Sequence, residues 1–126
     1  MKKLLFFLLV LSSLSCTQTA VQAQSGKLNA AEFESILSKD KTVQLVDVRT
    51  PEEYAAGHIE GARLIDFYDT DFAARIGKLD KSKPVMVYCA AGGRSASAAE
   101  QLNKMGFKKV YDLTGGMRAW RAAGKK

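Results

Sequence analysis

Of the two cysteines in the chain, Cys89 has the surroundings that chemistry needs. It closes the apolar run KPVMVYC (83–89) and is followed by Ala90, Ala91, Gly92, Gly93 and Arg94, then by a helix-forming stretch, SASAAEQLNKMG. The pattern predicts a strand that ends at the thiol and a helix that starts near Ser95. At such a junction the positive end of the helix and the inward-turned N–H groups of the loop both favour a thiolate, the nucleophilic form of cysteine. Glycine at 92 and 93 is read as supplying positive φ in a tight loop and keeping the approach clear, while Ala90 and Ala91 leave the mouth open. Arg94 brings a fixed charge and a planar fork of donors, suited to binding a substrate oxyanion or to holding the loop in shape. Taken singly, these residues read equally well as a core cysteine, an ordinary turn and a solvated arginine. Their conjunction at one strand-to-helix junction favours a reactive site.

The elements that must position this loop follow from periodicity and end signals. NAAEFESILSK carries Asn29 as N-cap, Glu32 three residues on, and Phe33, Ile36 and Leu37 at helical spacing. TVQLVDV reads as a buried strand ending at Asp47, and TPEEYAAG as a short helix with Thr50 as cap, Pro51 at its first position, Glu53 closing a capping box and Gly57 as stop. A short strand is expected near Leu64 and Ile65, a helix capped around Asp69 or Thr70, a strand in KKVYDL and a last helix in GGMRAWRAAG. Strands alternating with short helices predict an α/β fold: a small open, mostly parallel sheet of about five strands with helices on both faces. In such sheets reactive groups gather at the carboxyl ends of the strands.

The chain has 126 residues, and its opening MKKLLFFLLVLSSLS reads as an export signal, two lysines before an apolar stretch too short to span a bilayer. Small residues before Gln24 fit cleavage after Ala23, while SLSC ending at Cys16 fits a lipoprotein site; both place the domain in the periplasm or cell envelope. The organisation is thus a signal over 1–23 (or 1–15 for a lipoprotein), a short tether over 24–27 and one domain over 28–124. Removing Lys2 and Lys3 lowers the net charge from +6 to +4. That mild, scattered positive charge excludes no small anion but argues against nucleic acid. Contact with a membrane is expected only through a lipid on Cys16, and the chain is expected to be a monomer. Once Cys16 is removed or lipidated, Cys89 is the one free thiol left in an oxidising compartment.

With these residues in place, the chain resembles the rhodanese-like family of sulfurtransferases. Cys89, Gly92 and Arg94 match the family's Cys-x-x-Gly-x-Arg loop after a strand. VDVRTPEEYAAGHIEGA (46–62) is similar to its upstream segment, and GFKKVYDLTGGMRAW (106–120) to its Gly-Gly-x-x-x-Trp region. Glu60 and Leu64 depart from the residues common there. The resemblance implies a rhodanese-like fold and transfer of sulfane sulfur: the Cys89 thiolate takes the outer sulfur of a small anionic donor such as thiosulfate, releases sulfite, and passes the persulfide sulfur to cyanide or a thiol. It implies no metal or organic cofactor.

In that reading Cys89 is catalytic, and Ala90, Ala91, Gly92, Gly93 and Arg94 bind the substrate. Asp47, Arg49 and the lone His58 are structural supports. Two rivals share the loop. A thiol phosphatase or arsenate reductase would place a longer loop between cysteine and arginine than the four small residues here, and a non-catalytic persulfide carrier or docking module would lack turnover.

Overall fold

A strand buried on both faces must be apolar throughout, and the chain's apolar runs are used in that way. The computed structural model describes residues 25–126. The export-signal and Cys16 readings fall outside the described residues. Five strands, β1 (Ser25–Leu28), β2 (Gln44–Asp47), β3 (Arg63–Leu64), β4 (Val85–Tyr88) and β5 (Val110–Leu113), form one sheet in the order β1-β5-β4-β2-β3, every neighbouring pair parallel. Five helices connect or follow them: α1 (Ala30–Lys39), α2 (Pro51–Ala55), α3 (Phe72–Gly77), α4 (Gly93–Lys104) and α5 (Gly116–Ala122). This is the open parallel sheet with helices on both faces expected from the alternation of elements.

Side-chain alternation along β4 divides the core into two layers. Val85, Val87 and Cys89 belong to the layer with Phe72 and Ile76 of α3 and Ala98 and Leu102 of α4. Met86 and Tyr88 belong to the opposite layer, with Phe33 of α1 and Met117 and Trp120 of α5. A one-residue slip of β4 would therefore move the thiol to the wrong face of the sheet. The chain leaves β2 toward β3 on one side and β4 toward β5 on the other. The ends of β2 and β4 thus flank the point where the strand order reverses, where open sheets leave a crevice.

Three local expectations are corrected. Residues 25–27, read as tether, belong to β1, which pairs with β5 from Ser25↔Val110 to Leu28↔Leu113. The domain thus begins before Leu28, because β5 offers an open edge whose backbone groups need partners. α3 is preceded by Asp71, which makes no side-chain cap; neither Asp69 nor Thr70 is the cap residue. α4 begins at Gly93 rather than near Ser95, capped by Gly92 in the left-handed region, so Arg94 stands in the first helical turn. The capping box of α2 forms as read, with Thr50 accepting from the Glu53 N–H.

Candidate active site

β4 delivers Cys89 to the carboxyl edge of the sheet, where the residue is only 1% exposed. The Gly92 N–H donates to its Sγ at 3.0 Å. Gly92 has φ +115°, which turns the chain back over the sulfur and starts α4. A Cβ there would meet nothing closer than the Gly115 nitrogen at 3.6 Å, so the demand for glycine at 92 is conformational rather than steric. Gly93 differs from its expected role. It is helical, φ is not positive, and a Cβ would point into open space.

Burial pushes the Cys89 thiol up, but the Ser95 hydroxyl and the N–H groups of Ser95, Gly92 and Ala91 pull it down further. The net position lies below that of an ordinary thiol, so more of it is thiolate at neutral pH. Ser95 is fully buried, and its hydroxyl, with a single proton, alternates between the Cys89 sulfur and the Gly92 carbonyl 3.2 Å away, bracing the loop from inside when it serves the latter. Sequence reading passed over Ser95 as the first residue of a helix, although its type and its place four residues after Gly-Gly's predecessor alanine fit a helix-start donor.

The last helix holds the loop from the other side. Met117 and Arg118 donate their N–H groups to the carbonyls of Cys89 and Ala90 at 2.8 and 3.0 Å. This approach is possible only because residue 116 is glycine: with φ +55°, a Cβ there would overlap the Cys89 carbonyl oxygen and come within 2.8 Å of the Ala90 carbonyl carbon. The Gly-Gly pair at 115–116 is thus part of the cysteine loop in space.

Arg94 is placed differently from a free oxyanion receptor. Its guanidinium forks onto Glu53, Nη1 to Oε1 at 2.8 Å and Nη2 to Oε2 at 3.0 Å, and lies 5.5 Å from the centre of the exposed Tyr68 ring. The Arg94 guanidinium holds the Glu53 carboxyl down at about 2, with help from the Thr50 backbone and against a smaller effect of burial. Glu53 therefore serves twice, capping α2 and anchoring α4 across 41 residues of sequence. Only the first role was legible in the chain.

Asp47 and Arg49 lie beside the loop at the end of β2, buried and paired: Nη2 to Oδ2 at 2.7 Å, with Nε on both carboxylate oxygens and Nη2 also on the Gly57 carbonyl. The pair ties β2 to the turn after α2, and Arg49 covers the Tyr88 ring at 5.6 Å. His58 is exposed, stacked on Tyr54 at 3.6 Å with its Nδ1 3.0 Å from the Tyr54 carbonyl. Among the described residues, no three His, Cys, Asp or Glu side chains are grouped to hold a metal, and no helix is long and apolar enough to cross a membrane.

A cavity of about 410 Å³ opens beside Ala90, lined also by Arg49, Glu53, Ala56, Met117, Arg118 and Arg121. Arg118 and Arg121 were not singled out by sequence, which placed them only within the last helix, GGMRAWRAAG. They enter the site because α5 docks on the cysteine loop.

The chain is similar to known proteins over most of its length. The profile of the rhodanese-like domain matches residues 29–123. The chain is 41% identical over 85 residues to the thiosulfate sulfurtransferase GlpE of Pseudomonas paraeruginosa, covering 67% of this chain and 74% of that protein. Among solved structures, a rhodanese-related protein from Thermoplasma volcanium superposes with a TM-score of 0.70 at 30% identity, over 79% of this chain and 94% of that one. A rhodanese-like domain protein from Staphylococcus aureus gives 0.66 at 35% identity, over 75% and 89%. With the profile matched over residues 29–123 and the fold shared across most of the domain, the chain belongs to the rhodanese-like domain family.

Proposed function

We propose that this protein is a sulfurtransferase that moves sulfane sulfur from thiosulfate or a similar anion to a thiophilic acceptor through a persulfide on Cys89. The observation that carries the reading is the thiol itself: held below its ordinary pKa, with the Gly92 N–H on its sulfur, at the carboxyl end of β4. Support also comes from the relatives named thiosulfate sulfurtransferase.

In the first half-reaction the Cys89 thiolate attacks the outer sulfur of thiosulfate. A new S–S bond forms, the bond to the sulfonate sulfur breaks, and its electron pair leaves with sulfite. The terminal sulfur of the persulfide is an anion about 2 Å beyond Sγ, and the loop amides that favour the thiolate also favour it. In the second half-reaction cyanide or a thiolate attacks that terminal sulfur and Cys89 leaves as thiolate, restoring the enzyme. Arg94 is engaged chiefly by Glu53, with a lesser attraction to an anionic Cys89 sulfur. That engagement speaks against a phosphatase, which needs the arginine on a tetrahedral oxyanion.

Export remains part of the proposal: the apolar opening of the chain is read as a signal that delivers the domain to the envelope. The mass of the protein recovered outside the cytoplasm tests it, since an uncleaved chain would contradict export through that signal.

Turnover tests the activity. Sulfite release from thiosulfate in the presence of cyanide should be catalytic and should vanish in Cys89→Ser, while incubation with thiosulfate alone should add one sulfur to the intact mass. A wild type that makes the adduct without multiple turnover would be a carrier, and one that makes neither would end the sulfur-transfer reading.

A further inference from the structure

We infer that the cavity beside Ala90 is the acceptor subsite, and that it takes a small organic thiol carrying a carboxylate, held by Arg118 and Arg121. The inference rests on the sulfur-transfer reading above and specifies what receives the sulfur.

Size points away from the donor as the sole occupant. At about 30 Å³ for each heavy atom, the share of a water molecule in the liquid, thiosulfate would occupy about 150 Å³ at most. The cavity holds about 410 Å³, within the range of pockets for small organic ligands. Cyanide would leave more of it empty still.

Charge points to an anion. Two of the four charged groups in its walls are already neutralised within the protein, Arg49 by Asp47 and Glu53 by Arg94. Arg118 and Arg121 have no ion pair among the described residues. They stand three apart on α5 and so share one face of the helix. The cavity therefore presents two unspent positive charges.

Position connects that charge to the reacting sulfur. The Arg118 N–H is bonded to the carbonyl of Ala90, the residue after the nucleophile. The Arg121 guanidinium lies against Gly57, where a Cβ would come within 3.4 Å of Nη2. Arg118 is thus anchored on the cysteine-loop side and Arg121 on the α2 side. The cavity meets the loop at Ala90, the residue next to Cys89, and in the proposed orientation the thiol has its carboxylate between the arginines and its sulfur at that end. Its thiolate attacks the terminal persulfide sulfur, the new S–S bond forms on the acceptor, and the electron pair of the broken bond returns to Cys89 Sγ. No outside oxidant or reductant is needed.

The test separates the two half-reactions. The protein is loaded with thiosulfate, freed of excess donor and mixed in single turnover with 3-mercaptopropionate, 2-mercaptoethanol or cysteamine. These thiols are of similar length with a negative, a neutral and a positive end. Persulfide loss, followed by intact mass and compared per thiolate, should be fastest with 3-mercaptopropionate, by about fivefold over 2-mercaptoethanol for two exposed ion pairs, and slowest with cysteamine. The order should flatten at high salt and in Arg118→Gln/Arg121→Gln, and return in Arg118→Lys/Arg121→Lys. Equal discharge by all three thiols would overturn the subsite and leave sulfur transfer standing. A double Gln variant that loads slowly yet keeps the wild-type thiol order would assign the arginines to the donor instead. Failure to load would remove both readings.

Discussion

The Cys89 thiol is buried, and burial alone would make it a poor nucleophile. Its reactivity depends on donors outweighing that cost, and Ser95 supplies both a hydroxyl and an N–H. Ser95→Ala should therefore raise the thiol pKa toward its ordinary value and slow alkylation at neutral pH, with the rate recovering at alkaline pH. Measuring iodoacetamide reaction against pH checks this, and an unchanged profile would mean that the backbone amides suffice. Glu53 gives a second residue-scale prediction. Its carboxyl titrates near 2 in the folded chain, below its ordinary value of 4.5. The unfolded state thus binds more protons in between, and the Arg94 pair stabilises the fold above that window and is lost as pH falls through it. Glu53→Gln should be less stable than wild type at neutral pH, with the difference closing between about pH 4.5 and pH 2 in denaturant titrations. A constant difference would assign its contribution to packing. Glu53 also shows the limit of local reading, because the capping box with Thr50 was visible in TPEE while the fork to Arg94 was not.

Elements decide the loop's shape. Adjacent glycines at 92 and 93 look alike in sequence, yet one caps α4 at φ +115° and the other is simply helical. Gly92→Ala should cost about 1–2 kcal/mol from the left-handed backbone alone, and should weaken the N–H contact with Sγ. Gly93→Ala should be neutral or stabilising by about 0.5 kcal/mol. Thermal unfolding of the two variants distinguishes them, and equal losses would contradict the geometry. Gly116→Ala should be worse than either, because the added carbon meets backbone rather than a side chain that can move. It should reduce sulfite release as well as stability, since α5 and the cysteine loop share two hydrogen bonds. β2, β4 and β5 were legible because each is a short apolar run with clear bounds. β1 was not, since SGKL has neither alternation nor bulk and is a strand only because β5 has an edge to fill.

Across the whole molecule, one buried group works against stability. Asp112 on β5 is 3% exposed, and its Oδ1 is the one buried side-chain polar atom without a partner among the described residues. Burial raises its pKa, opposed by the Ser95 hydroxyl and the charge of Lys27. The folded state therefore holds this proton to higher pH than the unfolded chain does, so stability falls as pH rises from about 4. Asp112→Asn should remove that slope and be more stable at neutral pH, as read from urea midpoints across pH; a slope that persists would place its origin elsewhere. The sequence by itself determined the helices and the strands from β2 to β5 in their order, the cysteine at the end of β4, and the small residues beside it, because these depend on local periodicity, turn chemistry and residue type. Only the tertiary structure decided that Arg94 answers Glu53, that Gly116 admits the last helix to the cysteine loop, and that Arg118 and Arg121 face the same cavity. Those relations join residues distant in the chain, and only the parallel sheet, by bringing the ends of β2 and β4 together with α5 above them, makes them neighbours.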